Sequence, residues 1–207
     1  MWRDEAVERS WRVLEELKGL ADFVLIGGWG VYLWTRKLKS RDIDVCIDQE
    51  NFYRLQSELL QRNYGLKRNV RLMFEALIGD VEVDIYTPFM SRLPVPCLDV
   101  FNKKLYSLIE RFKVAIPEAL LLLKAQAAKE RWHAEKGVKD RVDIISLLKF
   151  ADIKRDMVNQ MLKKYDKEGT LRSVIKRTIS ESRVEYRFLG LAYEKDGAQL
   201  KKSFNNL

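Results

Sequence analysis

Two short acidic strands constrain this chain more than any other feature. In RDIDVCID, residues 41–48, Ile43, Val45 and Ile47 alternate with Asp42, Asp44, Cys46 and Asp48. That is the period-two pattern of a strand with one buried face. In VEVDIYTP, residues 81–88, Val81, Val83 and Ile85 alternate with Glu82, Asp84 and Tyr86. Asp42 and Asp44 are expected on one face of the first strand and Asp84 on the matching face of the second. Where the strands are neighbours the three carboxylates meet, and at low effective dielectric they repel by on the order of several kcal/mol. A packed core has no use for that arrangement, whereas a cation among the acids relieves it.

An all-oxygen donor set points to a hard ion, Mg²⁺ or Mn²⁺ in its place. A zinc set is not on offer: His133 is the only histidine and falls among charged helix residues, and Cys46 and Cys97 read as free thiols. Just upstream, FVLIGG is a buried strand ending in Gly27-Gly28, and GVYLWTRKL reads as a helix starting at that turn. Glycines there let backbone N–H groups approach an anion, and a helix N-terminus favours negative charge. Ser40 and Arg41, with Lys37 and Lys39 beside them, suit a triphosphate. Trp29, next to the glycines, is placed to touch a nucleotide base, although tryptophans more often fill cores.

The remaining pattern is mixed before about residue 116 and helical after it. AVERSWRVLEELKGL is an amphipathic helix with Val7, Trp11, Leu14 and Leu17 on its apolar face. NFYRLQSELLQRNYG is a helix with Asn51 as N-cap. RLMFEALIG and VEVDIYTP form a hairpin around Gly79-Asp80; SRLPVPCL is a loop, and LYSLIERFKVAIP a further strand or hairpin. Pro117 opens a long helix through Lys136, and helices continue to about Thr178 with breaks near Gly137, Ala151 and Gly169. The tail from Arg187 is weakly patterned, and its last residues are expected to be disordered.

The net charge of +8 is uneven, with 16 Lys/Arg against 10 Asp/Glu from Lys139 onward. This bias suits an anionic partner such as RNA or a nucleotide. No apolar run approaches the roughly 20 residues of a membrane span, and the polar N-terminus is unlike a secretory signal, so no membrane partner and a cytoplasmic location are expected.

The strand–Gly-Gly–helix, then S-R-D-I-D-V and later V-D-I-Y, resembles the nucleotidyltransferase fold of the DNA polymerase β superfamily, across Gly27, Gly28, Asp42, Asp44 and Asp84. Downstream, PEALLLLKAQAAKERWHAEKGVKDRVDIISLL is similar to the helical motif of AbiEii-like nucleotidyltransferases, the toxin side of type IV toxin–antitoxin systems. Lys124, Arg131, Lys139, Asp140 and Asp143 occupy its motif positions. The resemblance implies an α/β (α+β) catalytic domain over residues 1–116, with a small mixed sheet flanked by helices, and a C-terminal helical domain over residues 117–207. It implies Mg²⁺-dependent transfer of a nucleoside monophosphate from an NTP such as ATP to an acceptor hydroxyl, with release of pyrophosphate. Asp42, Asp44 and Asp84 are then the catalytic metal ligands, with Asp84 as base toward the acceptor. Gly27, Gly28, Ser40, Arg41, Lys124 and Lys139 bind the nucleotide, with the site in a cleft between the domains. An RNA 3′ end is the favoured acceptor, a protein or small molecule the alternative, and an antitoxin the partner. The rivals are a catalytically silent nucleotide-binding regulator and a basic RNA-binding module. An intact acid triad argues against the first, and its repulsion of RNA against the second.

Overall fold

The structure is a computed structural model that describes residues 4–69, 73–205 and 207. The chain divides into two compact units, one formed by residues 1–33 and 38–116, the other by residues 34–37 and 117–207.

In chain order the first unit contains α1 (Asp4–Leu20), β1 (Val24–Ile26), α2 (Gly27–Thr35, its last two residues grouping with the second unit), β2 (Ile43–Cys46), α3 (Gln49–Gln61), β3 (Leu66–Asn69), β4 (Met73–Ile78), β5 (Val81–Tyr86), α4 (Cys97–Asn102), β6 (Tyr106–Ile109) and β7 (Phe112–Ala115). The strands form one mixed sheet in the order β3-β4-β5-β2-β1-β7-β6. β2–β5 and β1–β7 are parallel and the other pairs antiparallel. Val24, Leu25, Ile43, Val45, Val83, Ile85 and Val114 are buried, so the central strands carry the core. α1 buries Val7, Leu14 and Leu17 at helical spacing. Its Arg9 also grips Asp80 with two nitrogens, at 3.0 and 2.7 Å, at the turn between β4 and β5. Both side chains are half in water, so this contact orients the turn more than it stabilises it. The two cysteines are buried free thiols that face each other, and burial pushes the Cys46 thiol up.

Several local expectations need correcting. α2 begins at Gly27, three residues earlier than its apolar pattern marks, because the positive φ of Gly27 turns the strand directly into the helix. Asp48, not Asn51, caps α3: its carboxylate accepts the Asn51 backbone N–H at 2.8 Å. The loop expected through residue 98 ends at Pro96, and α4 begins at Cys97. Arg71 and Leu72 of the expected strand RLMFEALIG lie outside the described residues, and β4 starts at Met73.

The second unit contains α5 (Pro117–Glu130), α6 (Glu135–Phe150), α7 (Arg155–Tyr165), α8 (Thr170–Glu181), α9 (Arg183–Phe188), a π-helical turn over Tyr193–Gly197 and α10 (Ala198–Ser203). α5 is central: Leu120, Leu121 and Leu122 are all buried, so no side of that turn is polar. It packs on α6, α7 and α8. The chain breaks at Arg131–Ala134 rather than at Gly137, which lies inside the first turns of α6. A Cβ on Gly137 would stand 1.9 Å from the Arg131 carbonyl oxygen, so a glycine lets the turn close against the helix. Trp132 braces the turn, with the guanidinium groups of Arg141 and Arg177 at 4.6 and 4.2 Å from its ring centre. Nor are the described tail residues disordered: Leu200, Phe204 and Leu207 are buried, Tyr193 packs edge-on against Tyr186, and Lys149 holds Asp196 at 2.8 Å. Among the described residues no helix is long and apolar enough to cross a membrane.

Gly137→Ala is expected to destabilise the protein by about 1–3 kcal/mol, because the clash is with backbone and the turn cannot yield without moving α6. Chemical denaturation checks this, and an unchanged midpoint would show that the turn adjusts freely.

Candidate functional site

Sheet register builds the site. β5 lies parallel to β2 with Asp84 opposite Asp44, and β1 lies on the other side of β2 with Ile26 opposite Asp44. The chain leaves β1 at Ile26 and turns at Gly27, whose φ is +67°. A Cβ on Gly27 would fall 2.0 Å from Asp44 Oδ2. The Asp44 carboxylate therefore rests directly against the glycine that starts α2, and any larger residue there displaces it.

Asp42 lies in the bend just before β2 rather than in the strand. Its carboxylate accepts from Arg41 Nε at 3.3 Å. Ser40 is buried beside them, Gly28 is buried in the first turn of α2, and Arg41 is half-buried.

The row of acids runs one strand further than the sequence reading took it. Glu75 on β4 is the register partner of Asp84, and Asn69 Nδ2 donates to Glu75 Oε2 at 2.8 Å. The signal was present in the sequence: a two-residue turn at Gly79-Asp80 pairs Ile78 with Val81, and counting back pairs Glu75 with Asp84. Burial first, then the charges of Asp44, Glu75, Glu82 and Asp42, push the Asp84 carboxyl up to about 7. Among the described residues, no three Asp, Glu, His or Cys side chains already form a ready-made metal cage. The donor chemistry, carboxylates crowded at neighbouring register positions, is nevertheless what a hard divalent cation takes.

Trp29 is not available to a base. It is 1% exposed, packs 5.0 Å from Trp11, and donates its indole N–H to Ser10 Oγ at 2.8 Å. Lys124 and Lys139 lie in the second unit with the other helical motif residues. Lys124 Nζ is 2.7 Å from Asp143 Oδ2 and 3.2 Å from Asp140 Oδ1, Arg131 Nε is 2.6 Å from Asp140 Oδ2, and Lys139 Nζ is 3.5 Å from Asp143 Oδ2. Lys124 is thus buried, not a solvated helix lysine. Burial alone would raise Asp140, but Lys124 and Arg131 outweigh it and hold that carboxyl below its usual range. His133 is exposed in the turn between α5 and α6.

The raised Asp84 carboxyl links folding to pH. A group whose pKa rises on folding favours the folded state when protonated. That contribution is whole below its ordinary value of 3.8 and is lost as pH rises through about 7. Asp84→Asn is therefore expected to raise the melting temperature at pH 8 and to change it little near pH 4. Thermal scans of both proteins across that range check this, and an equal shift at the two ends would contradict it.

No protein-family model matches the chain, and no curated protein sequence matches it. Solved structures do. A putative nucleotidyltransferase from H. pylori is 17% identical, covering 98% of this chain and 99% of that one with a TM-score of 0.53. JHP933 from Helicobacter pylori is 17% identical, covering 99% and 97% with a TM-score of 0.52. ANT(2″)-Ia in complex with adenylyl-2″-tobramycin is 13% identical, covering 76% and 97% with a TM-score of 0.55. Among these neighbours are nucleotidyltransferases, and the fold of this chain is consistent with theirs.

Proposed function

We propose that the chain is a metal-dependent nucleotidyltransferase that moves a nucleoside monophosphate from an NTP, ATP among them, to an acceptor hydroxyl and releases pyrophosphate. One observation carries the reading: Asp44 faces Asp84 in register while resting on the glycine that turns β1 into α2. This brings paired carboxylates together with a helix N-terminus suited to phosphate. Asp42, Asp44 and Asp84 would hold Mg²⁺, or Mn²⁺ in its place, which when bound supplies charge neutralisation for the reacting phosphate and the leaving pyrophosphate. The chain's own part is to bind and orient. Gly27 and Gly28 let the backbone come close to a phosphate, Ser40 offers a hydroxyl, and Arg41 brings a cation already aligned by Asp42. Asp84, raised to about 7, is matched to taking a proton from an acceptor hydroxyl near neutral pH.

The favoured acceptor is an RNA 3′ hydroxyl, supported by the charge of the helical unit, with 22 Lys/Arg against 13 Asp/Glu. A second reading, a small hydroxylated amine, is favoured by Glu75 and Glu82 around Asp84 and by the adenylylated tobramycin in the ANT(2″)-Ia structure.

The test is incubation of the full chain with each α-labelled NTP, Mg²⁺, and either total RNA or a mixture of polyamine-like alcohols. Label is expected in the RNA, and Asp44→Asn is expected to cut transfer by at least about a hundredfold while the fold persists. Transfer that survives the substitution would overturn the reading, and label confined to the amines would select the second acceptor.

A further inference from the structure

We propose that the groove between the first turns of α7 and the end of α10 seats a segment of single-stranded RNA. The proposal rests on the RNA-acceptor reading for the identity of the polyanion. None of the residues it uses belongs to the helical motif that runs from Lys124 to Asp143.

The groove holds about 680 Å³, within the range of roughly 300–1,000 Å³ found for small-ligand sites. Its cationic side chains are Lys154 and Arg155 on one wall and Lys202 on the other, and Asp156 is its acidic one. All four residues are exposed, so the charge is displayed to water within a concave surface, where it draws in a polyanion most effectively. Arg155 Nη1 donates to the Ser203 carbonyl oxygen at 2.9 Å. That bond ties the two walls together and engages one of five guanidinium donors with a neutral acceptor, which leaves the charge of the group unmatched by it.

Both walls are fixed by the helices behind them. Glu118, buried on α5, accepts the Lys154 backbone N–H at 2.8 Å and sets the start of α7. On the other side Leu200 and Phe204 are buried, and Lys149 Nζ donates to Gln199 Oε1 at 2.7 Å. The groove is thus preformed, and a ligand makes its contacts without having to order the walls.

The rest of the lining suits a nucleotide better than a bare anion. Asn159 and Gln160 bring side-chain amides, which both donate and accept and so match base edges. Met157 and Phe204 add apolar surface for a base or ribose to rest on. Asp156 can accept from a ribose 2′-hydroxyl or a base amino group, a contact that a phosphodiester alone cannot supply.

The test uses the full chain and a short fluorescent oligouridylate, with affinity read by anisotropy over a salt series and folding checked by thermal scan. Lys154→Glu with Lys202→Glu is expected to weaken RNA binding at least about tenfold. It is also expected to flatten the slope of log affinity against log salt by about 1.4, two single-strand phosphate contacts at about 0.7 each. Lys167→Glu with Arg187→Glu, the same change of net charge on exposed residues outside the groove, is expected to change affinity by less than about twofold. Ultraviolet crosslinking is expected to join the RNA to peptides covering residues 154–160 or 198–204. Equal losses from the two double variants would reduce the effect to diffuse charge and overturn the proposal. So would crosslinks confined to other peptides, displacement of the RNA by polyglutamate as readily as by unlabelled RNA, or a mononucleotide that binds as tightly as the oligomer. Should the groove variant fail to fold, Arg155→Gln, which keeps a donor for the Ser203 carbonyl, and the crosslinks decide instead. RNA held in the groove yet never labelled from an NTP would sink the RNA-acceptor reading and leave this one standing. RNA that is labelled while the groove variant binds it like the parent would do the reverse.

Discussion

The site depends on like charges held in register against their repulsion. β2 and β5 are hydrogen-bonded through Ile43–Val83, Asp44–Asp84, Val45–Ile85 and Cys46–Tyr86, and the aliphatic members of those pairs are buried. Sliding β5 by one residue would separate the acids but turn Val83 and Ile85 out of the core. Burial of the aliphatic face therefore fixes the acids side by side, and burial of the carboxyl first, then the charge of its acidic neighbours, raises Asp84. A fold that crowds its acids in this way has a reason to bind a cation there.

Glycine sets the second half of the geometry. Gly27 does two things that no other residue can do together: it adopts a positive φ, and it leaves room for the Asp44 carboxylate. The strand end, the helix start and the acid are thereby brought into one place by a single residue without a side chain. Arg9 reaching to Asp80 braces the neighbouring turn, whose length sets the pairing of Glu75 with Asp84. Positioning of the acids therefore comes from backbone register and from a glycine.

The sequence was most legible where a period determines geometry. Alternation in RDIDVCID and VEVDIY gave the strands and their acid faces, and Gly27-Gly28 marked the turn. It was less legible where tertiary contact decides. Asp42 belongs by pattern to the strand, but β2 starts only at Ile43 and leaves it in a bend. The break after Glu130 carries no proline and no glycine of its own; it depends on Arg131 and Trp132 packing against Gly137 and Arg141. The tail looked unpatterned because its anchors, Tyr193, Leu200, Phe204 and Leu207, serve a surface made by other helices. Lys124 has the same lesson in charge: a lysine in an amphipathic-looking helix is buried because two acids from the next helix surround it.

The central claim is that the Asp42–Asp44–Asp84 group is a cation site for a metal-bound nucleotide. Its most direct test is Mn²⁺ binding followed by electron paramagnetic resonance, in the presence of a non-hydrolysable ATP analogue. The parent protein is expected to bind the ion, and the Asp42→Asn, Asp44→Asn, Asp84→Asn triple variant, still folded and at least as stable without metal, is expected to lose it. Equal Mn²⁺ binding by the two proteins would contradict the account.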